Sequence, residues 1–215
     1  MKKLKTMIQK LIKKARERIS KEDSSHDFGH ALRVLANAEY IASIEGGDLE
    51  VIIPAALFHD VVIYPKNDPL SKLAATESAQ VAKEILETLD YPSEKIPLVM
   101  QAIEEHSYSN GIQPALLESR IIQDADRLEI TGAIAIMRTF SSTGQMQRRF
   151  YDLEDPFCKQ RLPGSKVSAI DFFYTRLMKV NFHTSAAKRL AKKRTPFLHQ
   201  FLKQLQKELT EVQES

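Results

Sequence analysis

Six histidines occur in the 215-residue sequence, and four of them, His26, His30, His59 and His106, stand beside acidic residues in its first half. His26 and His30 are four apart in Ser25-His26-Asp27-Phe28-Gly29-His30, a spacing that places both on one side of a helix start, where the positive helix end favours anions. His59-Asp60 closes the apolar run Ala55-Ala56-Leu57-Phe58. Asp124 and Asp126 follow Ile121-Ile122 and precede Leu128. Charged groups embedded in apolar segments are costly unless they pair or coordinate. Two imidazoles and two carboxylates, each at an apolar helix boundary, make a mixed nitrogen and oxygen donor set that suits manganese, iron, zinc or nickel better than calcium. The bland alternative for each piece is a structural hydrogen bond, and the spacing alone leaves both readings open.

The elements that must position these groups are helical. Residues 26–44 carry an apolar face through Leu32, Leu35, Ala36 and Ala38 to Ile41, closed by Glu45-Gly46-Gly47-Asp48. A nearly all-apolar helix is predicted over 49–60, with Pro54 inside it. Helices over 70–90 and 93–107 follow, and then one over 115–139, bent at Gly132. Residues 141–165 are polar and rich in turn formers, the stretch least able to order by itself and a candidate lid. Two last helices are predicted over 166–182 and 184–212, the second bent near Pro196. Strand content should be near zero, and short connections predict one helical bundle.

Composition narrows the class. Hydrophobic residues make up 43% and charged residues 27%, ordinary globular usage. A single cysteine, Cys158, excludes an internal disulfide or a cysteine-based zinc knuckle and fits a reducing, cytoplasmic compartment. It has no histidine neighbour to activate it. The basic start, MKKLKTMIQKLIKKARERIS, lacks the unbroken apolar run of a signal peptide and reads as a first helix packed through Leu4, Ile8 and Leu11. A net charge of +3 with 28 acidic residues argues against a nucleic-acid partner, and no apolar run is long enough to span a membrane.

These residues together resemble the HD-domain phosphohydrolases, in their small single-domain bacterial branch. The matching segments are His26-Asp27-Phe28-Gly29-His30 with Arg33-Val34, Ala55-Ala56-Leu57-Phe58-His59-Asp60, and Ile103-Glu104-Glu105-His106-Ser107. Gln123-Asp124-Ala125-Asp126-Arg127-Leu128 and Gly132-Ala133-Ile134 with Arg138 complete them. The resemblance implies an all-α bundle of one domain, 1–215, in which helix 1–20 and helices 166–212 pack on a metal-binding core over 26–140. It implies His30, His59, Asp60 and Asp126 as metal ligands, with Asp124 supporting them or structural. The metal would be divalent (manganese, iron, nickel, zinc or magnesium), and a second is known in binuclear relatives.

By the same resemblance Asp60, His26 and His106 are the catalytic candidates, and His26, Lys66, Arg127 and Arg138 the substrate-binding ones. Glu77 is a candidate supporting carboxylate; His183 and His199 receive no role. The implied partner is a small phosphorylated molecule, best a nucleotide hydrolysed by a metal-activated water. The segment 61–73 lacks the acidic pair of relatives acting on guanosine pyrophosphates, and the Gly-Tyr-Pro signature of the cyclic-di-GMP branch is absent. The competing readings are a metal- or nucleotide-binding module without turnover and a di-iron oxygenase.

Overall fold

A computed structural model describes residues 2–20, 23, 25–65, 68–108 and 111–211, with side chains from residue 5 onward. It is helical throughout: α1 (Lys2–Arg18), α2 (Phe28–Glu45), α3 (Leu49–Phe58), α4 (Ala74–Thr88), α5 (Ile96–Glu104), α6 (Leu117–Arg127), α7 (Gly132–Gln145), α8 (Ala169–Thr175), α9 (Ser185–Arg194) and α10 (Pro196–Glu211). Among the described residues no strand forms, and one isolated bridge joins Arg149 to Ser168. No described helix is long and apolar enough to cross a membrane. The chain divides into two compact units, Met1–Leu128 with His183–Ala187, and Glu129–Phe182 with Lys188–Ser215.

α3 is the centre of the first unit. Residues Val51 to Phe58 are all buried, and α1, α2, α4, α5 and α6 pack around them. A helix apolar on every side is stable only when it is enclosed in this way. Its start is fixed by Asp48, whose carboxylate accepts the Glu50 N–H at 2.8 Å and the Lys95 ammonium at 2.5 Å. Pro54 has no N–H to give the carbonyl of Glu50 four residues back. The Tyr91 hydroxyl donates to that carbonyl at 2.7 Å instead, so the proline costs the buried helix no satisfied acceptor. The α1 prediction holds at Leu11, which is buried with Ala15 and Ile19; Ile8 is half-buried and the Leu4 side chain lies outside the described residues.

The second unit gathers Ala135, Ile170, Phe173, Leu177, Leu198 and Leu202 into its core, with Phe140 and Phe201 packed on Phe173. Three predicted elements differ here. The 115–139 helix stops at Arg127, passes through a 3-10 turn at Leu128–Ile130 and restarts at Gly132. Gly132 has φ +65, and a Cβ there would sit 3.1 Å from that of Arg194, so a break rather than a bend occupies this position.

The predicted 166–182 helix is only α8, capped by Ser168 and followed by a 3-10 turn at Leu177–Lys179. Near its end the Thr175 hydroxyl donates back to the Asp171 carbonyl, the local competition that weakens a helix terminus. Residues 141–145 belong to α7. Beyond them the irregular stretch is pinned: Arg161 forks onto Asp171 at 2.6 and 2.9 Å, and Asp155 accepts the N–H groups of Lys159 and Gln160.

Candidate metal centre

Four segments of the first unit deliver the site. Asp27 caps α2 by accepting the His30 N–H at 2.7 Å, which sets His30 in the first helical turn. His26 therefore precedes the cap instead of sharing the helix. The two rings still meet edge to face, with centroids 5.6 Å apart. His59 and Asp60 follow the last turn of α3, His106 follows α5, and Asp126 lies near the end of α6.

Their donor atoms converge. His30 Nε2 lies 3.2 Å from His59 Nε2, 3.6 Å from Asp60 Oδ2 and 3.4 Å from Asp126 Oδ1. His59 Nε2 is 3.3 Å from Asp60 Oδ2. The other oxygen of Asp60 faces His106 Nε2 at 3.4 Å. Among the described residues His30, His59 and Asp60 form the group of potential ligands whose atoms all lie within 4.8 Å of one another. The histidines are buried, while Asp60 and Asp126 are half-buried.

The local backbone decides which nitrogen each histidine presents. His59 Nδ1 is 2.9 Å from the Ala56 carbonyl and His106 Nδ1 is 2.5 Å from that of Ile103. A carbonyl only accepts, so Nδ1 carries a proton in both rings and Nε2 is the nitrogen that faces the carboxylates. Burial opposes a charge on His59, but the Asp60 carboxylate, its hydrogen bond and the more distant Asp126 outweigh that and push the imidazole up to about 9. Burial likewise resists ionisation of Asp60, and the charge on His59 with hydrogen bonds from His106, His30 and His59 holds its carboxyl well below the usual range.

A cavity of about 280 Å³ opens beside this cluster, lined by His26, Asp60, His106 and Ser107 on one side and by Val62, Ile63, Tyr64, Pro65, Ala74 and Ala75 on another. His26 is oriented from behind: its Nδ1 is 2.7 Å from Asp23 Oδ2, and the second oxygen of Asp23 accepts the Ser25 hydroxyl at 2.6 Å. The apolar wall is held by Ser78, which bonds the backbone of Val62, and by Glu77, which accepts the Tyr64 hydroxyl at 2.6 Å. Glu77 thus braces the pocket through Tyr64.

Asp124 points elsewhere. It is fully buried and accepts the backbone N–H groups of His183 and Thr184 and the Thr184 hydroxyl. Arg127 is buried with its guanidinium 3.5 Å from the ring centre of Tyr108. Arg138 sits half-buried on α7 in the second unit, and Lys66 lies outside the described residues.

Two contacts near these residues are not foreseen from the sequence, that of Asp23 with His26 and that of Gln123 with His183. Asp23 had a signal, being three residues before His26. The pair Gln123 and His183, joined at 2.7 Å across 60 positions, had none.

The HD domain family matches residues 27–131, a span holding His30, His59, Asp60, His106 and Asp126. An HD-superfamily hydrolase of known structure from Bacillus thuringiensis is 30% identical, with a TM-score of 0.72 over 96% of this chain and 98% of that one. The chain belongs to the HD-domain superfamily. Within it the chain groups with the small bacterial hydrolases related to YpgQ of Bacillus subtilis, which is 29% identical over 197 residues, 89% of this chain and 88% of that protein. The crystal structure of YpgQ in complex with ADP is 27% identical, with a TM-score of 0.71 over 94% of this chain and 97% of that one.

The HD-domain cluster fits a divalent cation on its own geometry. Ligands about 2.0–2.2 Å from a tetrahedral ion lie about 3.3–3.6 Å from each other, and the separations of His30 from His59, Asp60 and Asp126, and of His59 from Asp60, run from 3.2 to 3.6 Å. The Nε2 atoms of His30 and His59 and the carboxylates of Asp60 and Asp126 are the nitrogen and oxygen donors that a divalent cation of this class takes, the cation displacing any ring proton from Nε2.

Proposed function

We propose that this protein is a metal-dependent phosphohydrolase that cleaves a phosphoester or phosphoanhydride of a nucleotide. The observation that carries the reading is the convergence of His30, His59 and Asp60 at 3.2–3.6 Å, with Asp126 at 3.4 Å from His30, beside the cavity that His26 and His106 line. The ADP bound by its relative YpgQ supports a nucleotide as the substrate class. His30, His59, Asp60 and Asp126 would hold the ion. When bound, it lowers the pKa of a water and polarises the phosphoryl group.

The remaining chemistry is the chain's own. Asp60, with one oxygen toward the histidine pair and the other toward His106, orients the attacking water. His26, with its Nδ1 committed to Asp23, presents its other nitrogen to the phosphate and protonates the leaving oxygen. His106 steadies the phosphoryl charge from the opposite side of Asp60. The apolar wall at Val62, Ile63 and Ala74 receives the face of the sugar or base.

Because Asp60 also faces His106 at 3.4 Å, a second cation on that side is the variant of this reading that the geometry favours.

The test compares metal content and phosphate release from a panel of nucleotides, with manganese added, for the native protein, His59→Ala and Asp126→Ala. Loss of both metal and turnover in the variants is expected. Metal without turnover in the native protein would leave a binding module. Oxygen uptake by the iron-loaded protein would move the reading to an oxygenase.

A further inference from the structure

A second cavity, of about 700 Å³, lies wholly within the second unit and touches none of the histidine cluster. Its volume falls within the range of small-molecule sites. Lys188, Ala191 and Lys192 recur along α9 at the spacing of a single helix face, Thr195 follows its end, and all four line the cavity. The facing wall is the segment from Leu177 to Phe182, and the first turn of α10 closes one end.

The chemistry of this lining is segregated. Leu177 and Ala191 are buried at its floor, whereas Lys188, Lys192 and His199 are exposed at its rim. Among the described residues no acidic side chain lines it, in a chain whose 31 basic and 28 acidic residues nearly balance. The apolar members Leu177, Met178, Val180, Ala191 and Pro196 carry aliphatic or thioether side chains, and Phe182 adds the one phenyl ring among the described lining residues. A flexible hydrocarbon matches an aliphatic, methionine-containing wall. The start of α10 adds the positive end of a helix to the two lysines.

We propose that this cavity is a binding site for a single-chain amphiphilic anion, a medium-chain fatty carboxylate. Its tail lies against Leu177, Met178 and Phe182, and its head meets Lys188 and Lys192. The site is independent of the hydrolytic reading and would act on the protein as an effector or carrier site.

The experiment titrates the full chain with dodecanoate below its micelle concentration, by calorimetry, with dodecyltrimethylammonium as the charge-inverted control. In parallel, the methyl resonance of Met178, assigned through Met178→Leu, is followed in methionine-labelled protein. The expected result is one dodecanoate per chain, a shift of the Met178 signal, and no matching binding of the cation.

Lys188→Glu with Lys192→Glu, both at exposed helical positions, should weaken binding roughly tenfold or more, the scale of a lost charge-assisted contact. Circular dichroism confirms the fold of that variant. Absence of binding, equal binding of the cation, binding unchanged by charge reversal, or an unmoved Met178 signal would each overturn the proposal.

Discussion

Thr184 gives Asp124 both its backbone N–H and its hydroxyl, each at 2.7 Å, across 60 positions of sequence. With the His183 N–H, three donors meet one buried carboxylate two residues before Asp126. The carboxylate adjoining the metal cluster therefore serves to clasp the start of α9 to α6.

Asp124→Asn should lower stability by about 2 kcal/mol, the scale of a buried donor left without its acceptor. An asparagine offers one acceptor oxygen and turns an N–H₂ toward groups that themselves donate. Thermal unfolding measures the loss; an unchanged melting temperature would mean that the clasp contributes nothing.

Asp23 orients His26 without being one of the proposed metal ligands. Asp23→Asn should cut turnover roughly 10- to 100-fold, the usual effect of removing a carboxylate behind a working histidine. Metal content should stay at the native value. A variant that loses metal instead would show Asp23 to be part of the framework of α2.

Tyr64 stands on the apolar wall of the 280 Å³ cavity, with its hydroxyl given to Glu77. That bond, then burial, then the charges of Glu77 and Asp68 raise the phenol above its ordinary range. Tyr64→Phe should raise KM several-fold for nucleotide substrates and leave kcat and metal binding near native values. Steady-state kinetics separates this split from a general loss of fold, which would lower kcat as well.

The second unit carries an acid-sensitive lock. Burial resists the charge on Asp171, but hydrogen bonds from Arg161, Ser168 and the Gly164 N–H overcome it and hold the carboxyl well below the usual range. A carboxyl whose folded pKa is depressed contributes stability above its unfolded value, about pH 4, and loses it as pH falls further toward the folded value. Melting curves from pH 6 to pH 3 should therefore fall more steeply for the native protein than for Asp171→Asn. Parallel curves would exclude Asp171 from the acid response.

Much of this arrangement is legible in the residues. The helical period, the Gly46 stop after α2 and the apolar run before His59 all act locally, and the helices predicted between 26 and 107 are each present within a few residues. The helix predicted over 166–182 fails because the short α8 is set by its Ser168 cap and by Thr175 bonding backward, effects that hydrophobic spacing does not encode. The approach of His30 to His59 and Asp126 depends on packing across tens of residues, as does the pairing of Gln123 with His183. Sequence can nominate such groups by type, and only the packed helices bring them together.

The substitution of a tyrosine hydroxyl for the missing N–H of Pro54 also dictates an order of assembly. The carbonyl of Glu50 receives its donor from a residue 41 positions later, so α3 cannot complete its hydrogen bonding as an isolated segment of nascent chain. Loop closure to residue 91 must come first, and such nonlocal steps are the slow ones. His59 and Asp60, at the far end of α3, thus sit on a helix whose hydrogen bonding is complete only once residue 91 has closed onto its first turn.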